Sequence, residues 1–164
     1  MLLVAMGGAR GSELPRVPVS DYIRLHVVAA DDSDGAQALK LEVRDATLAA
    51  ARALLADCDS PDEAWARIGA HLDLLEAAAT RRARALGYDG PVAAQAGVFD
   101  FPDRHYGAVF VPAGEYRALR VVIGAGEGRN WWCVLYPSLC VTGDGTAMRS
   151  ALLDWLRGLL GGGE

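Results

Sequence analysis

The sequence predicts an α+β domain: a mainly antiparallel sheet of about five strands, with a helical hairpin packed on one face and a short C-terminal helix. Two observations set the class. One short β-branched run precedes two long stretches of helical apolar spacing. Beyond Gly90 the spacing changes to short strand-like runs broken by glycine and proline. A third observation sets the size: 164 residues, 52% hydrophobic and 23% charged, suffice for one buried core. With no internal repeat or second boundary, residues 21–160 form a single domain.

Residues 1–20 hold "MLLVAM" and then a Gly-, Pro- and Ser-rich stretch, and read as a flexible tail or the remnant of a targeting segment. The apolar start is shorter than the roughly 7–15 residues of a secretory signal core. Tyr22 to Ala30 alternates and is β-branched, which predicts the first strand. Asp34 with Gln37 has the form of a capping box opening a helix to about Asp57, with Leu41, Leu48 and Leu55 on its buried stripe and Leu39, Val43 and Leu54 widening it. Ser60, Pro61 and Glu63 supply an N-cap, a proline at the first helical position and a box partner for a second helix. It runs to Leu86, is stopped by Gly87, and buries Trp65, Ile68, Leu72, Leu75 and Ala79.

After Gly90, "PVAAQAGVF", "YGAVFVP", "YRALRVVIG" and "NWWCVLYP" predict a four-strand meander. Thr146 to Leu160 then predicts an amphipathic helix with Met148, Leu152, Trp155, Leu156 and Leu159 inward.

The net charge of −5 argues against broad electrostatic binding of nucleic acid or an anionic bilayer. Arg81, Arg82 and Arg84 lie late in a predicted helix, where cations suit its dipole. No apolar run approaches the roughly 20 residues that span a bilayer.

The chemistry-bearing candidates are few. "GAGEG", Gly124 to Gly128, lacks the third glycine and the following helix of a dinucleotide fingerprint, and reads as a glycine-rich hairpin turn. The histidines and cysteines have no metal-ligand spacing, and "DDSD" lacks the rest of a calcium loop. Asp100, Asp103 and Glu115 read as solvated turn residues.

A cysteine nucleophile needs a histidine in reach. His26 falls mid-strand, His71 in a helix and His105 in a loop, which leaves a small hydrolase using Cys133 or His105 as the enzymatic alternative. In an oxidising compartment Cys133 and Cys140 could pair and leave Cys58 buried and inert, whereas in a cytosol all three would be thiols. Their disulfide would close an eight-residue loop, worth about 2.5 kcal/mol on the chain-entropy model. Trp131 and Trp132 are adjacent on a strand, so they point to opposite faces and one is left for solvent, a partner or a covering helix.

Two blocks carry more specific information. "IRLHVVAADDSDGAQALKLEVRD", Ile23 to Asp45, and "VPAGEYRALRVVIGAGEGRNWWCVLYPSLC", Val111 to Cys140, resemble the two signature segments of the stage II sporulation protein R family. The likeness spans about Asp21 to Val141 and departs from the family pattern at Ala30, Asp31 and Ala36.

The resemblance implies an extracytoplasmic signalling protein and not an enzyme, with no cofactor and no metal. It implies export from the forespore into the space between the forespore and mother-cell membranes. The implied partner there is a membrane-embedded aspartic peptidase, activated to process pro-sigma-E. It also implies a Cys133–Cys140 disulfide. Asn130, Trp131 and Trp132, with Gly126 and Gly128 of the turn, are the expected partner-binding residues; His26, Asp32 and Ser33 are secondary ones.

Overall fold

The structure, a computed structural model, describes residues 21–106 and 109–137. Its centre is the first strand, β1 (Ile23–Val28), all six of whose residues are buried. A strand buried on both faces takes two neighbours, and β1 has them from the far end of the sequence. It pairs in parallel with β5 (Gly114–Ile123), Leu25 opposite Leu119, and antiparallel with β6 (Asn130–Tyr136), Leu25 opposite Cys133. β2 (Val92–Phe101) adds antiparallel to the outer edge of β5, giving the order β2-β5-β1-β6.

The sheet is therefore four-stranded and mixed, where about five mainly antiparallel strands and a meander were expected. β5 and β6 are consecutive in sequence yet not adjacent, because β1 lies between them. The stretch read as a further strand of this sheet instead contributes to a separate hairpin, β3 (Arg104–Tyr106) with β4 (Val109–Val111). Each arm is three residues long, too short to extend a ten-residue neighbour.

The helices follow their start signals with two local differences. α1 (Asp34–Leu55) is capped by Ser33, whose Oγ accepts from the Ala36 N–H, and not by Asp34. Gln37, expected to complete a capping box, donates instead to the Asp31 carbonyl and the Asp32 carboxylate. Leu41 is 41% exposed, and the buried stripe runs through Lys40, Val43, Thr47, Leu48, Ala51 and Leu55. Lys40 and Thr47 fit that face because each is hydrogen-bonded there, Thr47 to the Val43 carbonyl at 2.8 Å.

The second predicted helix is two, α2 (Pro61–Ala70) and α3 (Leu72–Ala85), divided at His71. There ψ is +30°, and the His71 N–H is shared between the Arg67 and Ile68 carbonyls. The cap at Ser60 is as expected, its Oγ accepting from the Glu63 N–H. Arg117 of β5 reaches Asp62 of α2 at 2.6 Å.

Strand alternation divides the core in two. One face, with Ile23, Leu25, Val27, Leu119, Val121, Ile123, Cys133 and Leu135, packs under α1, α2 and α3. The other carries Tyr22, Phe101, Tyr116, Ala118 and Val134, closed at one end by Val111 and Tyr106 of the β3–β4 hairpin. Arg24 lies wholly buried in this second layer, 4.4 Å from the Phe101 ring centroid and 5.0 Å from that of Tyr116. The predicted tail 1–20 and the C-terminal helix Thr146 to Leu160 lie outside the described residues.

Candidate functional site

The site begins with a problem of connection. β5 ends at Ile123 on one side of β1 and β6 starts at Asn130 on the other. Residues 124–129 must therefore cross the end of β1, about 10 Å for two strand spacings. They are a crossover and not the hairpin turn expected from sequence, and the glycines allow it. Gly124 and Gly126 take φ of +59° and +68°, the left-handed region that glycine occupies without penalty. Gly128 passes so close to the end of β1 that a Cβ would fall 2.6 Å from the Asp31 carbonyl carbon.

Backbone bonds fasten the crossover: Gly128 N–H to the Ala29 carbonyl at 3.0 Å and Glu127 N–H to the Ala30 carbonyl at 3.2 Å. Asp32 completes the clasp, its Oδ1 accepting from the Arg129 N–H at 2.7 Å and from Gln37. Asp31 Oδ1 accepts from the Ser33 N–H at 2.8 Å, and the bonds from Ser33 hold its carboxyl below the usual aspartate range. From α1, the buried Lys40 ammonium donates to Gln37 Oε1 at 2.6 Å and to the Arg129 carbonyl at 3.0 Å. Burial first, and then Arg129, lowers the Lys40 pKa. The middles of the two sequence blocks are thus one hydrogen-bonded unit, with Asp32 and Ser33 in its framework.

Beyond the crossover the paired tryptophans separate as strand geometry requires, but neither is left bare. Trp131 turns to the helix side, half-buried against the main core, with the Arg44 guanidinium 4.8 Å above its ring. Trp132 turns to the opposite face, where the His26 ring stacks on it at 3.8 Å and 20°, and the Phe101 ring meets it edge-on at 4.8 Å. His26 Nε2 lies 2.8 Å from Asn130 Oδ1; an amide oxygen only accepts, so Nε2 carries the proton. Burial lowers the His26 pKa most; the Asn130 bond opposes this and the charge of Arg120 adds to it. Asn130, Trp132 and His26 accordingly form one constellation, and Trp131 belongs to another face.

Cys133 is buried on the helix face, whereas His26 points to the other side of the sheet. His105 sits in β3 of the outlying hairpin, exposed, its ring beside Phe110. His71 is exposed at the α2–α3 break. Cys140 lies outside the described residues, so its pairing with Cys133 stays an expectation. Cys58 follows α1 and is a free thiol, half-buried, with its pKa raised by burial. Among the described residues no group of His, Cys, Asp and Glu could hold a metal ion, and no helix is long and apolar enough to cross a membrane. A cleft of about 570 Å³ opens beside the clasp, between the start of α1 and the end of α3, lined chiefly by Ala30, Ala36, Leu39, Leu86 and Tyr88.

Sequence reasoning did not single out Lys40, Arg129, Arg24 or Arg120, and it gave Gln37 a capping role alone. Arg24 carried a usable signal, since in "IRLHVV" it alternates with His26 on one face of a strand whose other residues are all apolar.

The family model for stage II sporulation protein R matches residues 19–145. The stage II sporulation protein R of Bacillus subtilis (strain 168) is 37% identical over 133 residues, covering 80% of this chain and 59% of the relative's own length. The chain thus spans about three-fifths of that curated relative. No solved structure matches.

Proposed function

The chain belongs to the stage II sporulation protein R family, with a role in sporulation, and from that premise we propose that it is an exported signalling protein. In this reading it leaves the forespore for the space between the forespore and mother-cell membranes. There it binds a membrane-embedded aspartic peptidase and so triggers processing of pro-sigma-E. It acts by binding and not by catalysis. An effector shifts a receptor only by its differential affinity for the two receptor states, so the domain binds the active peptidase more tightly.

The observation that carries the reading is the clasp. The most distinctive residues of both sequence blocks converge at one end of the sheet, on a rigid crossover with Trp132 and Asn130 beside it. A preorganised aromatic surface has little ordering entropy to lose on binding. Asn130 and Trp132, with Gly126 and Gly128 setting the crossover's path, are the proposed contact. Trp131 supports it from the helix side. A Cys133–Cys140 disulfide, proposed for the oxidising space, would fix the chain where it leaves β6.

The test is co-expression of the exported chain with the peptidase and its sigma-factor precursor. Trp132→Ala, folded by circular dichroism, is expected to lose precursor cleavage, as truncation of a binding hot spot costs about 2 kcal/mol or more. Full cleavage with folded Trp131→Ala/Trp132→Ala removes the proposed contact. No cleavage with the unaltered chain removes the activator reading.

A further inference from the structure

We infer that the sheet face opposite the helices, at its Trp132–Arg120 end, is a docking surface for an acidic peptide segment. The inference rests on reading the chain as a binding protein and specifies the chemistry of its partner. Strand alternation turns Arg24 and His26 of β1, Arg120 of β5 and Asn130 and Trp132 of β6 to this face. None of the residues that the four strands turn to it is acidic. In a chain of net charge −5, that face is locally cationic.

Among the described residues two guanidinium atoms on this face are buried without a hydrogen-bond partner: Arg24 Nη1 and Arg120 Nε. Arg24 is sealed under the hairpin, where Nε donates to the Cys133 carbonyl and Nη2 to the Tyr106 hydroxyl, both at 3.0 Å. Arg120 is different. It is only half-buried, its guanidinium carbon lies 5.6 Å from the Phe99 ring centroid, and among the described residues it makes no ion pair. Opposite His26 in the sheet register, it stands next to the ring stack that ends at Trp132.

With Nε itself buried, the carboxylate of Asp or Glu is matched by the terminal Nη1 and Nη2 groups of a planar guanidinium held by an aromatic ring and bonded by none of the described side chains. Phe99 and Trp132, both half-buried, offer apolar contact to the neighbouring residues of such a segment. A bilayer surface is the poorer fit, since anionic lipid recognition uses clusters of about four to eight basic side chains, and here Arg24 is inaccessible.

The test uses the full chain and a capped pentapeptide alternating leucine with glutamate, against the same peptide with glutamine in place of glutamate. Binding is followed by the indole N–H signals of the tryptophans in NMR. The glutamate peptide is expected to bind about tenfold more tightly, matching one charge-assisted hydrogen bond, and to shift Trp132 more than Trp131. Arg120→Gln, with an unchanged melting temperature, abolishes that preference, and Arg120→Lys keeps part of it because the charge remains without the fork.

Equal binding of the two peptides, or a preference that survives Arg120→Gln, overturns the inference. So does capture of phosphatidylglycerol vesicles without any response to the peptide. Direct NMR contacts in the free chain between Trp132 and residues 146–160 overturn it too, since the chain would then cover its own face. Failure of the activator reading appears separately, as uncleaved precursor with the unaltered chain while peptide discrimination persists.

Discussion

The His26 imidazole lies flat against the Trp132 indole, 3.8 Å between centroids, while its Nε2–H is spent on Asn130. His26 is 7% exposed, and among the described residues no carboxylate lies against it; the charged group bearing on it is Arg120, a cation. Protonation is therefore disfavoured in the folded state, and the His26 pKa is depressed below 6.5, by burial first. The unfolded chain binds the proton first as pH falls. The contribution of His26 to stability is complete above about pH 6.5 and is lost progressively below it. Urea unfolding between pH 5 and 7.5 is expected to show this slope, and His26→Gln to flatten it; an unchanged slope in the variant would assign it to other groups.

Gly128 and Gly69 form a matched pair of opposite sign. Gly128→Ala drives a Cβ into the Asp31 carbonyl and is expected to destabilise by about 1–3 kcal/mol, loosening the clasp with it. Gly69→Ala, in an exposed turn of α2 with nothing within 4 Å of the new Cβ, is expected to stabilise by about 0.5–1 kcal/mol. Thermal melts of the two variants read both signs.

Arg24 is a buried cation held by three rings and two hydrogen bonds. Arg24→Ala opens a cavity and strands the Cys133 carbonyl and the Tyr106 hydroxyl, at a cost of about 2–4 kcal/mol. Arg24→Met fills the space and removes the unmet Nη1 donor, so it is expected to cost less than half as much in denaturant unfolding.

The proposed Cys133–Cys140 disulfide gives a count. Non-reducing alkylation of the unfolded chain, with iodoacetamide at pH 9, is expected to label Cys58 alone, and all three cysteines after reduction. In the native chain Cys58 is expected to react slowly, because burial raises its thiol pKa. A labelled Cys133 without reduction would favour the thiol-hydrolase alternative.

Helix starts were legible because their signals are local: Ser60, Pro61 and Glu63 act on amides within one turn. The cap at Ser33 was misread by one residue because Asp31, Asp32, Ser33 and Asp34 are all plausible caps, and Asp32 is taken by a bond to Arg129, 97 residues away. The stripe of α1 was misplaced at Leu41 because Lys40, a charged residue, takes the buried position, its ammonium met by Gln37 Oε1 and by the Arg129 carbonyl of a distant segment. Strand existence was readable and strand order was not. Nothing in "RVVIGAGEGRNWW" distinguishes a hairpin from a crossover until another strand is known to fill the gap. The opposed faces of Trp131 and Trp132 followed from pleating alone, whereas the His26 stack depends on the β1–β6 register.

The placement of β1 also governs when the domain can form. Arg24 is bonded to a carbonyl 109 residues later in the chain. A polypeptide emerging N-terminus first therefore carries its central strand unpaired until β5 has followed, and paired on one side alone until the crossover and β6 have followed too. Among the described residues the α1–α3 helices, the β3–β4 hairpin and the β2–β5 pair close without β1, whereas contacts of such long sequence separation slow folding. The sheet is thus assembled around its earliest strand by its latest, and its centre waits for residues made about a hundred positions further on.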